Sequence, residues 1–280
     1  MKHILLVPNT QKDKELAVTK QVAACIADRA KLFLHEDYRG FGVEAAGFRA
    51  PDEVYSGIDC IIVLGGDGTL LGVAREAAAH KIPILGINLG RLGFLAEVER
   101  HEIEACLDKL LAGAYTVENR MMIHAVIRKA SGSTAAFDAL NDIVIAKGTA
   151  FRVVRVGISA DGEEVTRFNG DGVIAATPTG STAYGLSAGG PVIEPSAENL
   201  AVIPICAHAL AAKSFVFAPE RTLAITARCE GGSEVFISAD GGQGFAVRPD
   251  DRVLITRSAL RTRLIRLKGN SFYRILQQKL

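Results

Sequence analysis

The sequence predicts an α/β domain built on a doubly wound parallel sheet, followed by a β-rich, largely antiparallel domain. Three observations carry that prediction. Over roughly the first 115 residues, short β-branched apolar runs alternate with segments of helical period, the pattern of βαβ units. Beyond about Asn119 the runs are short and often alternate apolar with polar, with turn signals between them. Two glycine-rich loops in the first part each follow a buried run, at the carboxyl edge where a parallel sheet holds its ligands.

Composition narrows the class. A chain of 280 residues has room for one large or two ordinary domains, and 49% apolar with 22% charged residues is the balance of a folded chain. The 32 basic and 31 acidic residues leave a net charge of +1, so no whole-chain field favours nucleic acid or an anionic membrane, although Arg257 to Lys268 is locally basic. Cys25, Cys60, Cys106, Cys206 and Cys229 are scattered, lie in apolar runs and form no Cys-x-x-Cys pair, which argues against a zinc site or disulfide framework and fits a reducing compartment. The apolar part of the N-terminus is too short for a signal peptide, and no stretch approaches a bilayer span. A cytoplasmic protein with no resident metal centre is expected.

In order, Ile4 to Val7 reads as a first buried strand and roughly Lys12 to Lys31 as a helix facing Leu16, Val22, Ala23, Ile26 and Ala30 inward. Lys31 to His35 suits a second strand, whereas Asp37 to Asp59 is glycine-dotted and weakly patterned. Ile61 to Leu64 is a strand ending in Gly65, Gly66, Asp67 and Gly68. Thr69, as N-cap, then opens a helix facing Leu70, Val73, Ala74 and Ala77 inward. Ile82 to Asn88 is the next strand, followed by the loop Leu89 to Leu95 and an amphipathic helix from His101 to Ala112, closed by Gly113. The domain boundary falls near Tyr115 to Arg120. Strands are then expected around Met122, Ile143, Phe151, Val173, Thr222, Glu234 and Asp251, with turns such as Ser131-Gly, Asp161-Gly and Gly231-Gly. Ser181 to Ala188 is the one internal helix candidate, and Ser271 to Leu280 is a final amphipathic helix that must dock to bury Phe272, Ile275, Leu276 and Leu280.

The strand–glycine–helix unit at Gly65 to Thr69 is the first chemical signal. Such a turn aims backbone N–H groups outward with the helix dipole behind them, and that arrangement binds phosphate. Asp67 is at odds with it, because a carboxylate there repels phosphate unless a metal bridges the two or it has chemical work to do. The plainer alternative is an aspartate favoured by the turn itself. The second signal is Asn169 to Tyr184, where a strand at Val173 to Ala176 runs into Thr177-Pro-Thr-Gly-Ser-Thr182. Its hydroxyls and glycines supply donors and let a ligand approach, with Ser181 or Thr182 capping a helix; an ordinary hydroxyl-rich loop reads the same way. Gly170-Asp171-Gly172 and Asp240-Gly-Gly-Gln243 read as β-turns, Asn141-Asp142 as a turn or a ligand-facing pair, His208 as a structural histidine and Phe215 with Phe217 as core.

Together these stretches resemble the NAD kinase family. The resemblance rests on Gly65-Gly-Asp-Gly-Thr69, Gly86-Ile-Asn-Leu-Gly-Arg-Leu-Gly-Phe94, Asn141-Asp142, Asp171-Gly172, Thr177-Pro-Thr-Gly-Ser-Thr-Ala-Tyr184 and Asp240-Gly241, in the family's order from about Ile58 onward. The first element is shared with diacylglycerol, sphingosine and phosphofructo-kinases; the second and the Thr-Pro run are more particular. The resemblance implies an α/β N-terminal domain over residues 1–118 and a sandwich-like all-β domain over 119–269. The helix at 270–280 would pack back on the first domain. It implies transfer of the γ-phosphoryl of ATP to the adenosine 2′-hydroxyl of NAD, with Asp67 as the catalytic carboxylate. Gly65, Gly66, Gly68 and Thr69 would hold the ATP phosphates, with Mg²⁺ bound mainly through those phosphates. Asn141, Asp142, Thr182, Ala183, Tyr184 and the apolar wall Phe94 would surround the adenosine of NAD. Asp171 would accept from the nicotinamide carboxamide, and Asp240 would sit at a turn near the site. It also implies a homodimer or homotetramer whose sites borrow residues from a neighbouring subunit.

Three positions depart from the family pattern. Asp142 stands for the usual Glu, one methylene shorter; Lys213 stands for the usual Arg; and the Asp240 turn carries an extra glycine. The alternatives are a lipid or sugar kinase sharing only the first domain, or a dinucleotide-binding sensor without turnover.

Overall fold

The computed structural model describes residues 1–91, 93–148, 152–208, 212–229, 234–269 and 272–279. Leu92, Phe151, Ala209 to Ala211, the turn at Gly231-Gly232, and Ser271 and Leu280 lie outside the described residues. The chain divides into two compact units, Met1–Asn119 with Arg261–Leu280, and Arg120–Leu260.

The first unit holds strands β1 (His3–Pro8), β2 (Lys31–His35), β3 (Gly47–Arg49), β4 (Cys60–Gly65), β5 (Ile84–Asn88) and β6 (Val98–Glu99). Its helices are α1 (Ala17–Ile26), α2 (Asp67–Ala79) and α3 (Ile103–Leu111). The strands pair in parallel in the order β3-β2-β1-β4-β5, with β6 beside β5. Direction of travel across the sheet reverses between β1 and β4, and the carboxyl ends of those two strands flank the crevice that such a reversal opens. Both faces of β4 are covered, so its run reads as continuously apolar. Ile62 and Leu64 share a core with Val22, Ile26, Ile103 and Leu107, and α2 buries Leu70, Val73, Ala74 and Ala77. Each such Val, Leu or Ile side chain contributes about 1.5–3 kcal/mol when fully buried.

The first helix differs from its expected bounds, and the third keeps its expected end. The first begins at Ala17 rather than Lys12, because Glu15 and Leu16 are left-handed, each with φ 55°. The buried Asp13 carboxylate accepts from Val18 N at 2.9 Å and Thr19 N at 2.8 Å, so the first-turn donors are satisfied from outside the helix. The third helix ends as expected, with Gly113 at φ 77° closing it.

Further strands are β7 (Thr116–Arg128), β8 (Thr134–Ala139), β9 (Asp142–Lys147), β10 (Val154–Ala160), β11 (Glu163–Gly170) and β12 (Gly172–Ala176). After the short α4 (Tyr184–Ser187) come β13 (Leu200–Ile205), β14 (Phe215–Phe217), β15 (Leu223–Cys229), β16 (Val235–Ala239), β17 (Phe245–Val247), β18 (Arg252–Arg266) and the C-terminal α5 (Phe272–Lys279). In the second unit one antiparallel sheet runs β14-β13-β12-β9-β16-β17, and β11, β10, β15 and β18 pair antiparallel in that order. Inward residues of both sets, among them Ile143, Val173 and Ile237 with Val156, Ile225 and Ile255, share one core, which makes this unit a sandwich. Alternate residues of β12, Ile174 and Ala176, pack into a second cluster with Ile193 and Ile203, so this strand is buried on both faces. Phe215 and Phe217, expected as core, are half-buried on the edge strand β14.

Candidate active site

In the first unit, β4 carries its apolar run to Gly65, and the chain turns through Gly66 directly into α2. Gly66 is the N-cap residue, so Asp67 and Gly68 open the first turn and Thr69 is the third helical residue rather than the expected cap. The Thr69 hydroxyl instead accepts from Asn9 Nδ2 at 2.8 Å. Thr69 N donates to Gly66 O at 3.0 Å. The N–H groups of Asp67 and Gly68, which an α-helix leaves without intrahelical acceptors, stand at the crevice beside β1 and β4 with the positive end of the helix dipole behind them.

The half-buried Asp67 is held by the second glycine loop. Its Oδ2 accepts from Phe94 N at 2.8 Å, and its Oδ1 from Leu95 N at 3.1 Å and Ala96 N at 3.2 Å. An ionised carboxylate offers about four lone-pair sites. Three are used, two of them on Oδ1, so Oδ2 keeps one free. Gly93 has to be glycine, because a Cβ there would overlap the Asp67 carboxylate. Phe94 lies beside Phe272 of α5, ring centroids 5.9 Å apart, and the Lys279 ammonium sits 4.7 Å from the Phe94 centroid.

The second unit carries a different cluster. The Asp240 carboxylate accepts from three successive N–H groups, Leu140 at 2.7 Å, Asn141 at 2.7 Å and Asp142 at 3.1 Å. Burial raises the Asp240 carboxyl, and those donors offset only part of the rise. Asp142 is buried beside it; desolvation first, then the Asp240 charge, push its carboxyl up to about 7. Thr177 Oγ1 donates to Leu140 O at 2.6 Å and Thr177 N to Asn141 O at 2.9 Å, which packs the Thr-Pro loop onto the same backbone. Asn141 Oδ1 is buried with no hydrogen-bond partner among the described residues. A buried acceptor left so costs about 1–3 kcal/mol, which a ligand donor would relieve.

The hydroxyls of that loop serve the loop itself. Ser181 Oγ donates to Pro178 O at 2.7 Å and accepts from Ile193 N at 3.0 Å, and Thr182 Oγ1 donates to Thr179 O at 3.1 Å. Neither caps α4, whose N-cap is Ala183; the expected hydroxyl cap is corrected by these short-range acceptors. Tyr184 is 45% exposed beside them. Asp171 lies at the opposite end of β12, paired with Lys147 at 2.6 Å, and five strand residues, a span of about 20 Å, separate it from Thr177. His208 is exposed, with its backbone N–H donated to Asn169 O at 2.8 Å.

Residues 4–115 match the ATP-NAD kinase N-terminal domain, and residues 140–267 match the ATP-NAD kinase C-terminal domain. An NAD kinase of Thermoanaerobacter sp. (strain X514) is 41% identical over 282 residues, covering 100% of this chain and 99% of the relative. The chain belongs to the NAD kinase family. A second family member, from Natranaerobius thermophilus, is 38% identical over 100% of this chain and 98% of its own. Among solved structures, an NAD kinase from Archaeoglobus fulgidus in complex with ATP superposes with a TM-score of 0.77 at 26% identity, covering 99% of this chain and 98% of that one. Yeast NADH kinase complexed with NADH shares the fold, with a TM-score of 0.87 at 20% identity over 100% of this chain and 87% of its own.

Sequence reasoning missed several residues that shape these clusters. Asn9 and Lys12 follow β1 without a motif to mark them. Lys147 sits in a strand, and its pairing with Asp171 depends on register between β9 and β12. Gly93 was visible as a loop glycine, although its contact with a carboxylate 26 residues earlier was not.

Proposed function

We propose that this NAD kinase family member transfers the γ-phosphoryl group of ATP to the adenosine 2′-hydroxyl of NAD, yielding NADP and ADP. The observation that carries the mechanism is the anchored Asp67 carboxylate at the first turn of α2, with one lone pair of Oδ2 unused. Phosphoryl transfer asks for positioning, charge neutralisation and one acceptor for the nucleophile's proton. Asp67 orients the 2′-hydroxyl and takes its proton; three N–H donors fix its position for that task. Gly65, Gly66, Gly68 and Thr69 form the turn whose N–H groups receive the donor phosphates.

Asn141 and Asp142, with Thr182, Ala183 and Tyr184, bind the adenosine moiety, and Phe94 supplies an apolar wall. The unsatisfied Asn141 Oδ1 supports this assignment. Asp171 accepts from the carboxamide, and Asp240 holds the Asn141-Asp142 backbone. The length of β12 between Asp171 and Thr177 suits an extended dinucleotide or a site completed by a second copy, and a homodimer or homotetramer is the assembly we assign. Mg²⁺ fits a turn that offers one carboxylate and many N–H groups, because the ion needs few protein ligands when phosphates and water supply oxygens; when bound it would supply charge neutralisation for the transferring group. No described helix is long and apolar enough to cross a membrane, and we assign the chain to the cytoplasm.

The match of residues 140–267 opposes a lipid or sugar kinase sharing only the first domain. The test is a coupled assay with Mg²⁺, ATP and NAD, in which an NADP-specific dehydrogenase reports product. Asp67→Asn is expected to lower kcat about 10²–10⁴-fold with NAD binding retained. Turnover by that variant at the wild-type rate would remove the general base from the mechanism.

A further inference from the structure

The loop after β1 is tied to the phosphate turn. Asn9 N donates to Leu64 O at 2.8 Å, at the end of β4, and Asn9 Nδ2 donates to Thr69 Oγ1 at 2.8 Å, in the first turn of α2. The same side chain shapes its own loop, with Oδ1 accepting from Gln11 N at 3.0 Å and Lys12 N at 3.2 Å. These bonds place Lys12 over the turn. Its Nζ lies 2.9 Å from where a Cβ on Gly66 would stand and 3.5 Å from one on Gly90. Lys12 forms no ion pair among the described residues. The Asp67 carboxylate is bonded to the N–H groups of Phe94, Leu95 and Ala96 instead.

We propose that Lys12 binds the phosphate chain of ATP, its ammonium completing the cradle formed by the α2 N-terminus. This rests on the phosphoryl-transfer reading above and adds a residue to it. Three features converge. The ammonium stands at the reversal between β1 and β4, where an open α/β sheet holds its ligands. Gly66 has no side chain to hold it off the turn. Lysine acts on phosphate as a mobile point charge, so it can follow the β- and γ-oxygens as charge shifts toward the leaving ADP. Asn9 is then a positioning residue, acting through Lys12 and Thr69.

Wild type, Lys12→Ala, Lys12→Gln and Lys12→Arg are compared by initial rates with ATP and NAD varied separately, and by calorimetric titration with Mg·ATP in the absence of NAD. Lys12→Ala and Lys12→Gln are expected to raise KM for ATP about 10–100-fold, with KM for NAD changed less than about two-fold, and to weaken ATP binding in parallel. Lys12→Arg keeps the charge and restores most of the affinity. Thermal melts should show no loss, because the side chain is exposed and the Asn9 bonds remain. Wild-type KM and affinity for ATP in both neutral variants would overturn the role of Lys12. Absence of NADP formation by the wild type would instead strike the phosphoryl-transfer reading, with the titration still deciding whether Lys12 binds the nucleotide.

Discussion

Asp142 is a carboxylic acid held where it is hard to ionise. Its carboxyl titrates near 7 in the folded chain against an ordinary value of 3.8, because it is desolvated and faces Asp240. Folding thus favours its protonated form. The stability linked to this group is fully present below about pH 4 and is lost as pH rises through about 7, and Asp240, also raised, acts in the same direction. Melts at pH 5 and pH 8.5 should show wild type losing stability across that interval, and Asp142→Asn losing distinctly less; equal losses would place the proton elsewhere. At this scale the sequence singled out Asp67 and Asp240, because glycine-flanked carboxylates are conspicuous, and Asn141-Asp142, because a polar pair entering an apolar strand is. It did not show what each carboxylate does. Asp67 and Asp240 both gather three successive backbone N–H groups from a loop distant in sequence, and no spacing rule announces such a partner.

At the scale of elements, strands were easier to read than helix ends. Runs such as Ile61 to Leu64 and Val173 to Ala176 owe their character to burial on both faces, which leaves a plain apolar signature. The three-residue edge strands β3, β14 and β17 bury too little to leave one. Helix starts were misplaced because the groups completing them are not adjacent: α1 is served by Asp13 across two left-handed residues, and Thr69 is turned to Asn9. Asp13→Ala removes a buried acceptor of Val18 N, Thr19 N and Thr19 Oγ1 at once. The expected cost is about 1–3 kcal/mol, measured by urea unfolding. A change below about 0.5 kcal/mol would mean that water replaces the carboxylate without penalty.

For the whole molecule, the change from βαβ alternation to short alternating strands was enough to read two classes of domain along one chain. The return of the chain to the first unit was only partly legible. The last helix advertised an apolar face, but the contribution of β18 did not show, since one continuous strand supplies Val253 to Ile255 to β15 and Leu264 to β5. Ile265 and Leu267 are buried in the first unit's core, and Arg266 reaches Glu118 Oε2 at 2.7 Å and Leu95 O at 3.0 Å. A fragment of residues 1–119 therefore lacks part of its own core. It should show no cooperative unfolding transition by circular dichroism, and addition of a peptide covering 261–280 should raise its helix and strand signal. A cooperative melt of the bare fragment would contradict this.

That discontinuity also has a meaning in time. Synthesis delivers Arg120–Leu260 as one uninterrupted stretch, whereas Met1–Asn119 must wait for Arg261–Leu280 to leave the ribosome. On this division Arg120–Leu260 can close before Met1–Asn119, the opposite of the usual N-terminal-first order. The half that carries the Asp67 carboxylate closes only with residues 261–280, so a chain cut within that segment would present a finished sandwich and a first unit that lacks part of its core.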